Sequence, residues 1–170
     1  MVRCASLLRW AGKEGLAPGQ WLARVNDELG EAIAPGMFVC AVAGYYDPWS
    51  RRLHWSSAGF PPLLRMARHG EQQRFEADGP PLGILPGMQF DEQRVALDGA
   101  SMYLFSDGLT DVRGADGQLL GLDGVAASIA AMRDLPVEAR LRALVAGLRH
   151  MTVTDDTTLM VIEGGEPLWL

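Results

Sequence analysis

One stretch limits what this chain can become more than any other: Met102-Tyr-Leu-Phe-Ser-Asp107-Gly108-Leu-Thr-Asp111. Its alternating apolar residues, Met102 and Leu104 among them, predict a core strand that halts at Ser106-Asp107-Gly108 before a polar turn. An aspartate delivered at the end of a core strand is a carboxylate with little freedom to move. Asp-Gly is also one of the commonest turn dipeptides, and taken alone such a segment is more often a plain strand-end turn. Its meaning depends on what the rest of the chain brings to the same place.

Residues 2–12 read as a helix carrying Leu7, Leu8 and Trp10, and this helix starts without a cap. The chain thus opens in mid-helix, as though a segment upstream were missing. Gly15 ends it and Pro18 begins another, with Trp21, Leu22, Val25, Leu29 and Ile33 at helical spacing and Pro35-Gly36 as the stop. Met37 to Asp47 predicts a long strand buried on both faces, returning through a turn into Leu53-His-Trp-Ser-Ser as a hairpin. Ala58-Gly59-Phe60-Pro61-Pro62 makes a corner before a third strand, Leu63-Leu-Arg-Met, and Gln73-Arg-Phe is a short edge-like segment. The loop 79–87 is restricted by its repeated proline and glycine, after which Phe90 and Val95 anchor a further strand. Beyond the segment 102–111 come a small-residue helix over about 122–132 and another started by Pro136 and running through Leu148. Thr152-Val-Thr-Asp155-Asp156-Thr-Thr-Leu-Met-Val-Ile is then a loop with two carboxylates that runs straight into a buried strand, and the tail from Glu163 to Leu170 reads as exposed. Hairpins in the middle with helices at both ends predict an α+β layering, in a single domain over residues 1–170.

Composition narrows the partners. Fifteen basic against 21 acidic residues give a formal charge of −6, and no lysine or arginine run offsets it. Nucleic acid and anionic membrane are therefore not the expected partners. The acidic excess suits a divalent cation, although most of it reads as solvated surface. No apolar run reaches membrane-spanning length and the N-terminus lacks a signal-peptide core, so the expected location is cytoplasmic. Cys4 and Cys40 sit among apolar residues and read as reduced, packed thiols, while His54, His69 and His150 are too scattered for a zinc site.

Asp107 closes one predicted strand and Asp155-Asp156 opens another. Were those strands antiparallel neighbours, the aspartates would meet at one edge of the sheet. Carboxylates gathered there without lysine or arginine repel one another, and a hard divalent cation, Mg²⁺ or Mn²⁺, held by oxygens and several waters resolves the repulsion. Such ions activate water and clamp phosphoryl oxygens, so metal-assisted phosphoester hydrolysis is the chemistry they point to. The pattern is matched equally well by Asp156 capping its loop with Asp155 solvated.

The ordered set Met37-Phe-Val-Cys-Ala, Leu53-His-Trp-Ser-Ser-Ala58-Gly59-Phe60-Pro-Pro-Leu-Leu, Pro81-Leu82-Gly83-Ile84, Phe105-Ser-Asp107-Gly108-Leu-Thr-Asp111 and Asp155-Asp156-Thr-Thr-Leu resembles the SpoIIE/RsbU branch of the PPM (type 2C) protein phosphatases. The resemblance covers residues 5–162 or so. It implies an α-β-β-α sandwich with a Mn²⁺/Mg²⁺ site at one edge, where a metal-activated water attacks the phosphorus of phosphoserine or phosphothreonine without a phosphoenzyme intermediate. By the resemblance Asp107 matches the Asp-Gly metal ligand and Asp155 the metal aspartate near the C-terminus. Asp111 stands where a weaker outer site would be served, and Asp156 supports its neighbour from behind rather than touching metal. Typical substrates are phosphorylated regulators of the STAS type in partner-switching pathways, controlled by an attached receiver, PAS, GAF or coiled-coil module.

The sequence departs from that branch in two places. Phe60 stands where histidine is common, in a position read as structural. An early strand pair with an Asp-x-x-Gly-His-Gly type motif, source of the aspartate that bridges two metals, has no counterpart here, because Met1 falls inside the first helix. Three accounts compete: a fragment of a longer active protein, an arbitrary start, or a natural degenerate domain. The retained Asp107 and Asp155 favour the fragment. Two rival functions follow, a non-catalytic scaffold that docks a regulatory partner and an oligomerising domain whose exposed sheet edge pairs with a second copy.

Overall fold

The computed structural model describes residues 2–30, 33–34, 36–77 and 79–165, with the side chains of Val2 and Arg3 not described. Predictions at Met1, at Pro35 and for the tail 166–170 lie outside the described residues. In chain order the elements are α1 (Val2–Ala11), a short 3₁₀ turn (Gly12–Glu14), α2 (Pro18–Gly30), β1 (Ala41–Asp47), β2 (Arg52–Ala58), β3 (Leu63–Met66), β4 (Gln72–Phe75), β5 (Gln93–Ala96), β6 (Ser101–Phe105), α3 (Asp107–Thr110), α4 (Gly121–Ala131), α5 (Val137–Leu148) and β7 (Leu159–Glu163). The chain forms two compact units, Met1–Phe60 with Glu76–Ala96, and Pro61–Phe75 with Leu97–Leu170.

In the first unit an antiparallel sheet runs in the order β1-β2-β5, with α1 and α2 supplying the apolar layer. Leu22, Val25 and Leu29 recur at helical spacing along α2, and all three are buried with Cys4 and Ala11 of α1 and with Ala41, Ala43, Leu82 and Phe90. Burial pushes the Cys4 thiol above its ordinary pKa. The loop 82–87 is held by one buried side chain that periodicity could not single out. Asn26 accepts from Gly83 N–H at 2.9 Å and donates to the Leu85 carbonyl at 2.9 Å, while Asp27 accepts from Gly87 N–H at 2.9 Å. Asn26→Ala strands both loop groups, and chemical denaturation should show a loss of about 1–3 kcal/mol. Wild-type stability in that variant would mean that the loop is held by other contacts.

Three expectations for this unit are corrected. The strand predicted over Met37–Asp47 begins only at Ala41, and it is not buried on both faces: Met37, Phe38 and Tyr45 are all more than half exposed. Cys40 is exposed rather than packed. Phe90 is a core residue but precedes its strand, which spans Gln93–Ala96. The corner at Gly59 has a clear cause, since its backbone is left-handed (φ +61°) and a Cβ there would lie 2.4 Å from the Pro81 ring.

The second unit is built on the antiparallel sheet β4-β3-β6-β7. Leu64 and Met66 of β3 and Tyr103 and Phe105 of β6 pack with Leu109 of α3, Val125, Ala126 and Ile129 of α4 and Leu144 of α5. Gln72–Phe75 is an edge strand, as expected from its polarity. The last strand is not the buried one predicted: Met160 is 54% exposed and the others of β7 are half-buried or exposed. Among the described residues no helix is long and apolar enough to cross a membrane.

Candidate functional site

The strands that carry the candidate aspartates are antiparallel neighbours, paired from Ser101↔Glu163 to Phe105↔Leu159. The C-terminal end of β6 and the N-terminal end of β7 therefore lie side by side, as the sequence required for the aspartates to meet at one edge. The pairing continues past the strands through Ser106 N–H to the Thr158 carbonyl at 3.0 Å. Ser106 acts as a clasp, its Oγ accepting from Thr158 N–H at 2.9 Å and donating to the Asp156 carbonyl at 3.2 Å. Thr157 Oγ1 donates to the Gly108 carbonyl at 3.1 Å. At the other end of the acidic loop, Thr152 and Arg113 exchange backbone hydrogen bonds of 2.9 and 3.0 Å. Asp155 and Asp156 are thus carried on a segment tied down on both sides to the chain around Asp107.

The polar turn expected after Ser106 is a single helical turn, Asp107–Thr110, with Ser106 in extended conformation before it. Asp107 occupies the first position, where its Oδ1 accepts from Gly108 N–H at 2.9 Å. Asp155 does the same locally, Oδ1 accepting from Asp156 N–H at 2.7 Å. Each carboxylate therefore has one oxygen fixed by backbone, and no hydrogen bond among the described residues engages the other. Asp111 closes the turn, donating its N–H to the Asp107 carbonyl at 2.9 Å, and its Oδ1 lies 3.4 Å from the Thr110 hydroxyl. All four aspartates are exposed, and no arginine or lysine among the described residues pairs with any of them.

Ser106 and Thr157 were not legible as site residues, because hydroxyls next to acidic turns are common and only the strand register reveals what they bridge. Gly108 has a second role for the same reason. A Cβ there would lie 2.4 Å from the Asp156 carbonyl oxygen and 3.0 Å from its carbon. The two loops approach that closely only because residue 108 has no side chain.

The donors fit a hard cation in kind: exposed carboxylate oxygens, fixed in orientation and unpaired with positive charge. In number they fit an ion of the Mg²⁺ type that takes one or two carboxylates and keeps several waters. They do not make up a closed protein cage, since no three His, Cys, Asp or Glu side chains gather as a metal group among the described residues.

Comparison with known proteins decides the family. Residues 1–164 match the family described as Stage II sporulation protein E (SpoIIE). The chain belongs to the SpoIIE family. Its fold is that of the PP2C phosphatases: it superposes on the RsbU and RsbW domains of Rv1364c from Mycobacterium tuberculosis with a TM-score of 0.82 at 22% identity, over 98% of this chain and 48% of that one. The SiaA-PP2C domain of Pseudomonas aeruginosa gives the same TM-score, 0.82, at 19% identity, over 94% of this chain and 67% of its own. Protein IcfG of Synechocystis sp. (strain ATCC 27184 / PCC 6803 / Kazusa) is 22% identical over 131 residues, which is 74% of this chain and 20% of that protein. The chain therefore spans a fifth of one relative and about half of another. Phosphatases of the SpoIIE type are in general metal-dependent, using Mn²⁺ or Mg²⁺.

Proposed function

We propose that residues 1–170 act as one SpoIIE-type phosphatase domain that hydrolyses phosphoserine or phosphothreonine on a regulatory protein of the STAS type. In this reading Asp107 and Asp155 are the ligands of a Mn²⁺ or Mg²⁺ ion, Asp111 serves a weaker outer position, and Asp156 orients its neighbour. The observation that carries the reading is the clasp of Ser106 and Thr157, which ties the Asp155 loop against the Asp107 turn. When bound there, such an ion lowers the pKa of water and neutralises phosphoryl oxygens. The protein's own share is to hold two carboxylates in fixed orientation, each with one oxygen spent on backbone and the other left for binding. The expected setting is cytoplasmic, with a sensory or receiver module supplying control.

Hydrolysis of p-nitrophenyl phosphate and of a phosphorylated STAS protein, measured with Mn²⁺ and again after EDTA, tests the activity. A rate that rises with Mn²⁺ and disappears on chelation is the expected result. For the ligands, calorimetry should show Mn²⁺ bound at least tenfold more weakly by Asp155→Asn than by wild type, about 1.4 kcal/mol. Equal Mn²⁺ affinities would remove Asp155 from the site.

A second reading, a non-catalytic domain that docks a regulatory partner, is favoured by one observation: no third acidic side chain joins the pair among the described residues. Stable binding of the phosphorylated STAS protein, with no hydrolysis at any Mn²⁺ concentration, would establish it.

A further inference from the structure

Helix α5 meets the candidate site twice. Its C-terminal end leads into the acidic loop through continuous hydrogen bonding. Met151 N–H donates to the Leu148 carbonyl at 3.0 Å, and the next residue, Thr152, exchanges backbone bonds with Arg113. Leu144, further back on the same helix, belongs to the buried cluster that includes Leu109 of the Asp107 turn. A shift of α5 along its own axis would therefore carry the segment from Thr152 to Asp156 past Asp107.

Apolar packing alone fixes that axial position poorly. Leu109, Leu144, Leu148 and Met151 border one small cavity of about 50 Å³, so the contact between α5 and the Asp107 turn is incompletely filled. Dispersion contacts are individually weak and carry little directional information. The directional link is Arg140. Among the described residues it is the one side chain of α5 that hydrogen-bonds outside its own helix.

Arg140 is only 6% exposed, although it carries a permanent charge. Its Nη1 donates to the Tyr103 hydroxyl and, at 3.2 Å, to Ser101 Oγ, both on β6, and its Nη2 donates to Glu163 on β7. Ser101 and Glu163 face each other on the rung of the β6–β7 ladder farthest from the aspartates. One guanidinium thus grips both aspartate-bearing strands and ties them to the helix that feeds the acidic loop. From Arg140 the helix runs about 12 Å to its end at Leu148, a length over which it is stiff. A buried ion pair is a weak source of net stability, since an apolar side chain of similar volume often serves as well. Placement is the better account of a charge kept here.

We infer that Arg140 is a positioning residue: through α5 it sets where the Asp155 loop stands against the Asp107 turn. Its consequence at a metal ion rests on the proposed function, whereas the placement itself does not.

Amide hydrogen exchange of the whole chain in EDTA reads that placement without metal or substrate. Arg140→Met keeps much of the volume and removes every donor. Tyr103→Phe removes a single acceptor, and gives the same test where the buried arginine cannot be replaced. In either variant the N–H groups of Thr152 and Thr158, which hold the acidic loop to Arg113 and Ser106, should exchange at least tenfold faster than in wild type. The N–H of Val125, in the core of α4, should change only as far as global stability does. Ile129→Val, an apolar deletion in the same cluster, is the control for plain destabilisation and should leave the ratio of Thr158 to Val125 exchange at its wild-type value. Calorimetry adds the metal arm. Mn²⁺ affinity should fall about tenfold in folded Arg140→Met and recover in part in Arg140→Lys, which keeps a charge for Glu163. If wild type binds no Mn²⁺, the metal reading fails and the exchange result alone decides the placement. The inference is overturned if Thr152 and Thr158 exchange at wild-type rates in the variants, or rise only in proportion to Val125. It is equally overturned if Ile129→Val produces the same selective rise, or if wild type binds Mn²⁺ and Arg140→Met binds it as tightly.

Discussion

Replacing Asp107 with asparagine is expected to lower the Mn²⁺-dependent hydrolysis rate at least a hundredfold while leaving the fold intact. Asparagine has the same shape, and its Oδ1 can still accept from Gly108 N–H as the carboxylate does at 2.9 Å. The turn that carries it is held by other groups, the Thr110 hydroxyl and the Asp111 N–H both donating to the Asp107 carbonyl at 2.9 Å. What disappears is the negative charge on the oxygen that no protein group engages. Loss of partners that merely support a metal ligand already costs 10–100-fold, so about 100-fold is a lower bound for a ligand itself. Because the residue is exposed, its stability should change by no more than about 0.5 kcal/mol. Steady-state rates across a Mn²⁺ titration, paired with chemical denaturation, separate the two effects. Equal rates in wild type and variant would remove Asp107 from the chemistry, and an unfolded variant would show that its carboxylate holds the turn itself.

The parts of this structure that were legible in the sequence are those fixed by periodicity and punctuation. The helices at 2–11 and 18–30 follow their apolar stripes, Pro136 stands immediately before α5, and the apolar run ending at Asp107 is a central strand. Periodicity failed where apolar residues have no partner to bury them. Met37 and Phe38 read as strand interior yet are 62% and 56% exposed, and Met160 reads as core yet is 54% exposed on a half-buried strand. A hydrophobic letter states what a residue would gain from burial, not whether the fold supplies a neighbour. The site divides in the same way. That Asp107 and Asp155 belong to adjacent strand ends could be stated as a condition, and the β6–β7 ladder meets it. The groups that make the adjacency rigid, Ser106 and Thr157, depend on a register that no spacing within one segment encodes. Arg140 is less legible still, because an arginine on an amphipathic helix is ordinarily a surface residue, and only its burial against Tyr103 and Glu163 distinguishes it.

The adjacency of the two aspartate loops can itself be broken without touching an acidic residue, and Gly108→Ala is expected to do so. The added Cβ would lie 2.4 Å from the Asp156 carbonyl oxygen and 3.4 Å from that of Asp155, both backbone atoms that cannot swing aside like the end of a side chain. Residue 108 sits in a helical turn, so alanine suits its backbone conformation, and the cost comes from the collision alone. Relief requires the 155–157 segment to move outward, which stretches the hydrogen bonds from Thr157 Oγ1 to the Gly108 carbonyl and from Ser106 Oγ to the Asp156 carbonyl. Overpacking of this kind costs about 1–3 kcal/mol in stability. The effect on function should be larger, about a hundredfold in Mn²⁺-dependent rate, because displacement by about 1 Å is enough to misplace a reacting group. Gly147→Ala is the internal comparison: the position lies in α5 with open space around it, so the same added methyl should stabilise by about 0.5–1 kcal/mol and leave the rate unchanged. If Gly108→Ala retained wild-type stability and wild-type Mn²⁺ response, the Asp155 loop would not be held against the Asp107 turn, and the two carboxylates would have no reason to act as a pair.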